Sequence, residues 1–303
     1  ERVLTIPELR SMELDGRPLQ VVATTSIIGD VVAQVGGDQI ELLTLIDPGQ
    51  DPHSYEPSAG DLTAVSKSDV IFVNGWNLEE GLGDDLSTIS DNTPMVPVNA
   101  KVIPLEFKGK DDIQHEEIVS KEHGQIDPHT WFAVSNVRQW AENITIVLSE
   151  LDPVNADRYE ENRQMYDRDL MELDADLRRQ IENIPKEERI LITNHESFGY
   201  LADEYGFKVM GTVMPSSSTL AEPSARDLAA LATLMEEEGI CTIYTETTVS
   251  DSMPLILAQE LRNCGQVKII PLYTGSIGLS GSGADSYRGM MESNISAIVE
   301  GLQ

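Results

Sequence analysis

Residues 155–185 read NADRYEENRQMYDRDLMELDADLRRQIENIP, and this stretch decides the fold. Its apolar side chains recur at spacings of three, four and seven residues, which predicts one amphipathic α-helix. The apolar stripe consists of Tyr159, Tyr166, Leu170, Leu173, Leu177, Ile181 and Ile184. With Asn155 as its N-cap and Pro185 as its stop, the helix has about 28 residues and a length of about 42 Å. We predict a rigid helix that links two lobes; a coiled-coil dimer seam is the alternative, although the stripe covers only about four heptads.

Short apolar runs alternate with amphipathic runs on both sides of this helix. The alternation predicts an α/β protein with two similar lobes, each a parallel sheet flanked by helices, joined by one long rigid helix. The predicted strands are residues 19–24, 40–46 and 70–73 before the helix, and 190–193, 208–213, 240–244 and 267–273 after it. The predicted divisions are an N-terminal arm at 1–18, a first lobe at 19–152, the linking helix at 153–185 and a second lobe at 186–303.

The chain is strongly acidic, with 52 Asp and Glu against 21 Lys and Arg and a formal net charge of −31. Such a charge argues against binding of nucleic acid and of anionic membrane surfaces. It suits the handling of cations, but solubility or a salty habitat is the more common reason for such a charge. No apolar run approaches the roughly 20 residues that a membrane-spanning helix needs.

The segment 107–126 interrupts the alternation with many charges and few large apolar residues. We interpret it as a solvated surface loop. It contains His115 and His123, two of the five histidines in the chain, so a flap that collects metal ions beside His129 is the functional alternative.

The only two cysteines, Cys241 and Cys264, do not form a CxxC pair, which argues against a thiolate zinc site. A disulfide that closes a loop of 22 intervening residues and two buried free thiols are both compatible with this spacing.

The other three histidines follow predicted strands or loops. His53 and His129 each end an Asp-Pro-His tripeptide, at residues 51–53 and 127–129, and His195 follows the strand at 190–193. Proline stiffens the chain before each of the first two histidines. A single such histidine is more often structural, but imidazole is a common ligand of zinc, and three together predict a metal site. Asp51, Asp127 and Glu196 are candidate hydrogen-bond partners of the three rings.

These motifs, in this order, resemble those of the metal-binding lipoprotein and periplasmic receptors of bacterial zinc and manganese ABC importers (cluster A-I, solute-binding family 9). The resemblance covers residues 19–303. It rests on DPHSYEPS at 51–58, DPHTW at 127–131, HESFGY at 195–200, YTET at 244–247 and GADSYRGMM at 283–291.

The resemblance implies a monomeric, non-enzymatic receptor that holds one cation between two lobes and delivers it to an ABC permease. It also implies an extracytoplasmic place, either periplasmic or lipid-anchored at the outer face of the cell membrane, and a stiff hinge. Adhesin function, known for some surface-anchored relatives, is not readable from these residues.

One position departs from the family. Many relatives supply an aspartate ligand where this chain has Gly275, in the segment YTGS at 273–276. Water, chloride, Glu246, Asp251 or Asp285 are the candidates for a fourth ligand.

The ligand types favour zinc. Manganese-importing relatives tend to have glutamate where this chain has His195, and three nitrogen ligands suit Zn²⁺ better than Mn²⁺. We therefore predict Zn²⁺ as the transported ion, with Mn²⁺ or Fe²⁺ as the lesser alternative.

Two further functions use the same residues. Three histidines and an open water position also form a catalytic zinc site, in which Glu196 could serve as the base of a hydrolase or hydratase. No HExxH or nucleophile-elbow motif supports that reaction. A receptor for an organic solute, with incidental histidines, is the other alternative.

Overall fold

The computed structural model describes residues 3–82, 93–107 and 125–303. Within them the chain forms eight strands and eight α-helices. In order these are β1 (Leu19–Ala23), α1 (Ser26–Gly36), β2 (Ile40–Thr44), α2 (Ala59–Val65), β3 (Val70–Val73), β4 (Met95–Pro97), α3 (Val134–Leu151), α4 (Ala156–Ile181), β5 (Ile190–Thr193), α5 (Gly199–Tyr205), β6 (Lys208–Thr212), α6 (Ala225–Glu238), β7 (Thr242–Glu246), α7 (Ser252–Glu260), β8 (Lys268–Leu272) and α8 (Tyr287–Leu302).

The strands form two parallel sheets with the same strand order. The first sheet has the order β2-β1-β3-β4 and the second β6-β5-β7-β8. We call the first sheet with its helices the first lobe and the second sheet with its helices the second lobe. The predicted α/β architecture of two similar lobes is therefore confirmed. The residue numbers at which the lobes divide stay a prediction.

Strand order explains where a ligand can bind. In each sheet the first strand lies between the second and the third, so the connections leave it in opposite directions. Parallel sheets bind ligands beyond the carboxyl ends of the strands at such a point. In the first lobe this edge carries the segments after Ala23, Thr44 and Val73, and in the second lobe those after Thr193 and Glu246.

Local sequence signals set the helix ends near this edge. Thr25 caps α1, its hydroxyl accepting from Ile28 N at 3.2 Å, and Gly37 ends that helix with a φ of 56°. Ser58 and Asp61 form the predicted capping box of α2. That helix ends at Val65, one turn earlier than the sequence pattern predicts.

Helix α4 is the long helix of the sequence prediction. Its 26 residues give a length of about 39 Å. It begins directly after Asn155, whose side chain makes no cap hydrogen bond, and it ends at Ile181, before Pro185. Its apolar stripe is buried within the chain, where α4 packs against α1, α3 and α8. The coiled-coil alternative is therefore wrong, because the stripe already has its partners.

The lobes share more than this helix, because one apolar core extends through both. The rings of Phe132 and Phe198 lie 4.5 Å apart between centroids, and Tyr287 OH donates to the carbonyl oxygen of Trp131 at 2.7 Å. A core that crosses the interface resists large movements of one lobe against the other.

Cys241 and Cys264 are joined by a disulfide, with Cα atoms 5.6 Å apart. The free-thiol alternative is therefore wrong. The bridge ties the chain before β7 to the chain before β8, at the edge of the sheet opposite the strand ends that carry the histidines.

Residues 3–18 run along the first lobe as an arm. Met12 N donates to Leu151 O at 2.9 Å, and Lys101 N donates to Leu4 O at 3.0 Å. Of the segment 107–126, only Phe107, Gln125 and Ile126 lie within the described residues, so the predictions for His115 and His123 lie outside them. None of the helices in the described part of the chain is both long enough and apolar enough to span a bilayer.

Candidate metal centre

His53, His129 and His195 converge at the carboxyl edges of the two sheets. Nε2 of His129 lies 3.2 Å from Nε2 of His53 and 3.2 Å from Nε2 of His195. The three residues are 3%, 1% and 2% exposed. Among the described residues they form the one group of at least three His, Cys, Asp or Glu side chains with donor atoms within 4.8 Å of one another.

These separations suit a single ion. Zinc–nitrogen bonds of 2.0–2.1 Å give tetrahedral edges of about 3.3 Å between ligand atoms. The two separations that involve His129 thus lie within about a tenth of an ångström of such an edge. An ion placed between these atoms would take two ligands from the first lobe and one from the second.

The two Asp-Pro-His motifs fold alike. Oδ1 of Asp51 accepts from His53 N at 3.1 Å, and Oδ1 of Asp127 accepts from His129 N at 2.9 Å. An aspartate that bonds the backbone two residues on closes a tight turn, and the intervening proline fixes its shape. The repeated tripeptide is therefore a repeated local structure that presents an imidazole.

His195 lies two residues beyond the end of β5, after Asn194. Its carbonyl oxygen accepts from Thr193 Oγ1 at 3.1 Å and from Ser197 N at 3.0 Å. Gly199 follows in the same motif because a side chain there would collide with the carboxylate of Asp127. The glycine thus lets the second Asp-Pro-His motif pack against the His195 segment.

A carboxylate faces the other ring nitrogen of each histidine. Nδ1 of His129 donates to Asp127 Oδ1 at 2.9 Å, and Nδ1 of His195 donates to Glu246 Oε1. Nδ1 of His53 lies 3.6 Å from Glu80 Oε1, beyond hydrogen-bond distance. Such partners fix the tautomer and aim the Nε2 lone pair at a metal.

Only one of the three expected partners is therefore right. Asp127 has the predicted role. Glu246 replaces Glu196, and Glu80 replaces Asp51, whose Oδ2 accepts instead from Thr219 Oγ1 at 2.5 Å. Neither Glu80 nor Glu246 stands near its histidine in the sequence, so spacing gave no signal for them.

Burial and charge shape the titration of the buried groups. Burial, together with the charges of His195 and His53, holds the pKa of His129 well below 6.5. Burial lowers the pKa of His195, but the charge and hydrogen bond of Glu246 outweigh it, so this pKa is raised. Burial raises the pKa of Glu246, yet His195 brings it below 4.5. Without a metal the site thus favours a neutral His129 beside a charged pair.

Both carboxylate oxygens of Glu246 accept hydrogen bonds, Oε1 from His195 Nδ1 and Oε2 from Thr274 Oγ1 at 2.6 Å. The Thr274 carbonyl oxygen accepts in turn from Trp131 Nε1 at 2.9 Å, and the Trp131 ring lies 5.3 Å from that of His129. A continuous chain of contacts therefore joins His195 to His129 behind the site and across the lobes.

The three carboxylates that were candidates for a fourth ligand do not join the donor group. Glu246 lies behind His195, and Asp251 and Asp285 are exposed. At Gly275 the position of a Cβ atom lies 2.6 Å from Pro52 Cδ. The space that an aspartate would need is thus taken by the first Asp-Pro-His motif.

A cavity of about 300 Å³ borders His53 on the side of Glu80, whose side chain is 31% exposed. Of the three histidines, His53 is the one that borders it. The lining consists of His53, Trp76, Asn77, Glu80, Gln125, Ile126, Pro128, Ser217 and Ser218.

Solved structures and curated relatives resemble the chain over nearly its whole length. The structure of the periplasmic zinc-binding protein TroA from Treponema pallidum superposes with a TM-score of 0.82 at 30% identity, covering 94% of this chain and 99% of that chain. A Mn-bound periplasmic metal-binding protein from Candidatus Liberibacter asiaticus gives a TM-score of 0.79 at 26% identity, covering 94% of this chain and 100% of that chain. The manganese-binding lipoprotein MntA of Bacillus subtilis is 32% identical over 287 residues, 94% of this chain and 90% of that protein.

MntA and TroA are named as metal-binding proteins, and PsaA of Streptococcus mitis as the substrate-binding lipoprotein of a manganese ABC transporter. These relatives are binding proteins and not enzymes, which sets aside the hydrolase alternative. Their names include both zinc and manganese. The family model described as "zinc-uptake complex component A, periplasmic" (ZnuA) matches residues 21–301, and the chain therefore belongs to this family of extracytoplasmic metal-binding receptors of ABC transporters.

Proposed function

We propose that this protein captures one Zn²⁺ with His53, His129 and His195 and delivers it to the membrane permease of an ABC importer. The observation that carries the proposal is the pair of 3.2 Å separations among three buried Nε2 atoms. The relatives named for metals argue against an organic solute, and the three Nε2 atoms lie close enough together to share a single small ion.

The donor set favours zinc over manganese. Zinc accepts three imidazoles and a fourth small ligand in a tetrahedron, while manganese prefers more oxygen ligands. The described residues add no carboxylate to the donor group. Water or chloride would therefore complete the sphere. TroA is named as zinc-binding, whereas MntA and PsaA are named for manganese, so the relatives support either ion.

Capture follows from the contacts around the site. The Nδ1–H groups of His129 and His195 donate to Asp127 and Glu246, so the Nε2 atom of each ring is the one that can bind a cation, in His195 once its second proton has left. A cation between them replaces protons and is stabilised by the buried carboxylates, because charges interact strongly where water is excluded. Ligands from both lobes mean that the bound ion holds the lobes together.

Metal analysis of protein purified without added metal, followed by competition titration of zinc against manganese, tests the proposal. We expect about one zinc per chain. Alanine at His53, His129 or His195 should weaken zinc binding by more than about 100-fold, since the loss of an outer partner alone costs 10- to 100-fold.

His115→Ala is the matched control, since it removes a histidine that we do not place in the site. Its zinc affinity should equal that of the wild type. Full zinc affinity in the His53, His129 and His195 variants would overturn the site. Preferential binding of manganese would overturn the choice of zinc alone.

A further inference from the structure

Glu79 is a buried carboxylate at the carboxyl edge of the first sheet, and it takes no part in holding the metal. It is 7% exposed. Its Oε1 accepts from Thr24 Oγ1 at 2.6 Å and from Asn74 N at 2.7 Å. Thr24 follows β1 and Asn74 follows β3, so one oxygen atom joins the ends of two neighbouring strands.

Asn74 carries this contact to the second Asp-Pro-His motif. Its Nδ2 donates to the carbonyl oxygen of Pro128 at 2.9 Å and to that of Gly75 at 3.0 Å. This carbonyl oxygen belongs to the peptide bond that joins Pro128 to His129. Asn74 itself is 0% exposed, so water does not compete for this hydrogen bond.

Glu79 also fixes the residue that faces His53. Leu78 N donates to Gly75 O at 3.4 Å, and Glu79 O accepts from Leu82 N at 3.1 Å, so residues 74–82 form a compact turn pinned through the Glu79 side chain. The next residue, Glu80, lies 3.6 Å from His53 Nδ1. The contacts of one buried carboxylate, that of Glu79, therefore lead to both first-lobe histidines, His129 through Asn74 and His53 through Glu80.

We propose that Glu79 is the positioning residue of the first-lobe half of the metal site. It aligns His129 through Asn74 and Pro128, and His53 through Glu80. The proposal rests on the proposed metal-binding function. It assigns to Glu79 an effect on coordination geometry that a general contribution to stability would not produce.

Asp69 provides a matched control at the opposite edge of the same sheet. It is also 7% exposed, and its Oδ2 accepts from Gln20 N at 2.8 Å and from Arg17 Nη1 at 2.5 Å. Asp69→Ala thus removes a buried carboxylate that joins the same two strands at the ends away from the histidines.

The experiment compares Glu79→Ala, Glu79→Gln and Asp69→Ala by zinc competition titration and by the visible absorption of bound Co²⁺, which reports ligand geometry. Glu79→Ala should weaken zinc binding about 10- to 100-fold, as expected for loss of an outer-shell partner, and should change the Co²⁺ bands. Glu79→Gln keeps an oxygen acceptor of the same reach and should restore both properties. Asp69→Ala should lose stability yet keep affinity and spectrum.

Asn74→Ala covers the case in which Glu79→Ala does not fold. It removes the side-chain hydrogen bonds to Pro128 O and Gly75 O and keeps the bond from Asn74 N to Glu79, and it should weaken zinc binding and alter the Co²⁺ bands. Wild-type affinity and spectrum in Asn74→Ala or in a folded Glu79→Ala would overturn the proposal, as would an equal loss in Asp69→Ala. If the wild type itself bound no zinc, or if His129→Ala bound zinc normally, the proposed function would fail instead.

Discussion

Replacing Gly275 with alanine should damage zinc binding although neither residue 275 nor the new methyl group touches the metal. A Cβ atom at this position would lie 2.6 Å from Pro52 Cδ and 3.0 Å from Pro52 Cγ. Ordinary contact begins at 3.4 Å, so Pro52 would have to move by about 0.8 Å. Pro52 is stiff and His53 follows it directly, so the imidazole would move as well.

The size of the effect follows from the overlap. Overpacking of a well-packed site costs about 1–3 kcal/mol. If the first Asp-Pro-His motif must return to its place to bind zinc, this strain opposes binding and weakens it about 5- to 150-fold. Metal sites tolerate displacements of only about 0.2 Å in ligand distance, so the motif has little freedom to adapt.

Competition titration against a chromophoric chelator at fixed pH measures the loss. Gly265→Ala is the matched control, because a Cβ there meets nothing within 4 Å and the backbone is not in the left-handed region. Its affinity should equal that of the wild type. Gly275→Asp carries the same Cβ atom and should also bind more weakly. A Gly275→Ala variant within twofold of the wild type, or tighter binding by Gly275→Asp, would refute the reasoning.

Three further predictions concern groups around the site and the fold. Glu246→Ala removes the acceptor of the His195 Nδ1 proton and should weaken zinc binding about 10- to 100-fold. Glu80→Ala should weaken zinc binding less, because Glu80 lies 3.6 Å from His53 Nδ1 and is partly exposed. Equal losses of affinity in competition titration would contradict this order. Replacing both Cys241 and Cys264 with serine should lower the free energy of unfolding by about 3 kcal/mol and leave the zinc affinity unchanged. If urea unfolding showed less than about a third of that loss, this prediction would be wrong. Burial raises the pKa of Glu79 above 4.5, so its contribution to stability is present below the unfolded pKa and is lost as pH rises through the folded pKa. Urea unfolding of the metal-free proteins should therefore show Glu79→Gln gaining stability relative to the wild type as pH rises from 4.5 towards neutrality, and a constant difference would argue against it.

Sequence reasoning was strongest where a local rule set the structure. The stripe from Tyr159 to Ile181 predicts α4 because helical period and burial coincide, and the two Asp-Pro-His motifs predict their turns because proline and aspartate act on adjacent bonds. It failed at β4 (Met95–Pro97), because a strand of three residues that follows Pro94 and ends in Pro97 is too short to show an alternation, and Val96 is its one β-branched residue. That strand forms only because β3 offers its free edge.

The sequence also failed to predict two of the three carboxylates that face the histidines. Asp127 was predictable because it acts on His129 two residues away. Glu246 meets His195 across 51 residues, and Glu80 meets His53 through a loop whose course depends on Glu79. Side chains brought together by tertiary packing leave no fixed spacing in the sequence. The same limit applies to Gly275, which reads as a lost ligand until Pro52 is seen to occupy its space.

The differences in support among the three imidazoles suggest an order for release. The apolar core and the contact between Trp131 and Thr274 cross the lobes, so release by wide separation of the lobes would break many contacts at once. His129 and His195 each donate to a buried carboxylate. The distance from His53 Nδ1 to Glu80 is 0.7 Å longer than that from His129 Nδ1 to Asp127, and Glu80 borders the cavity. Because a loosely held ligand costs least to displace, we expect His53 to leave a bound ion first, on the side of the cavity that it borders.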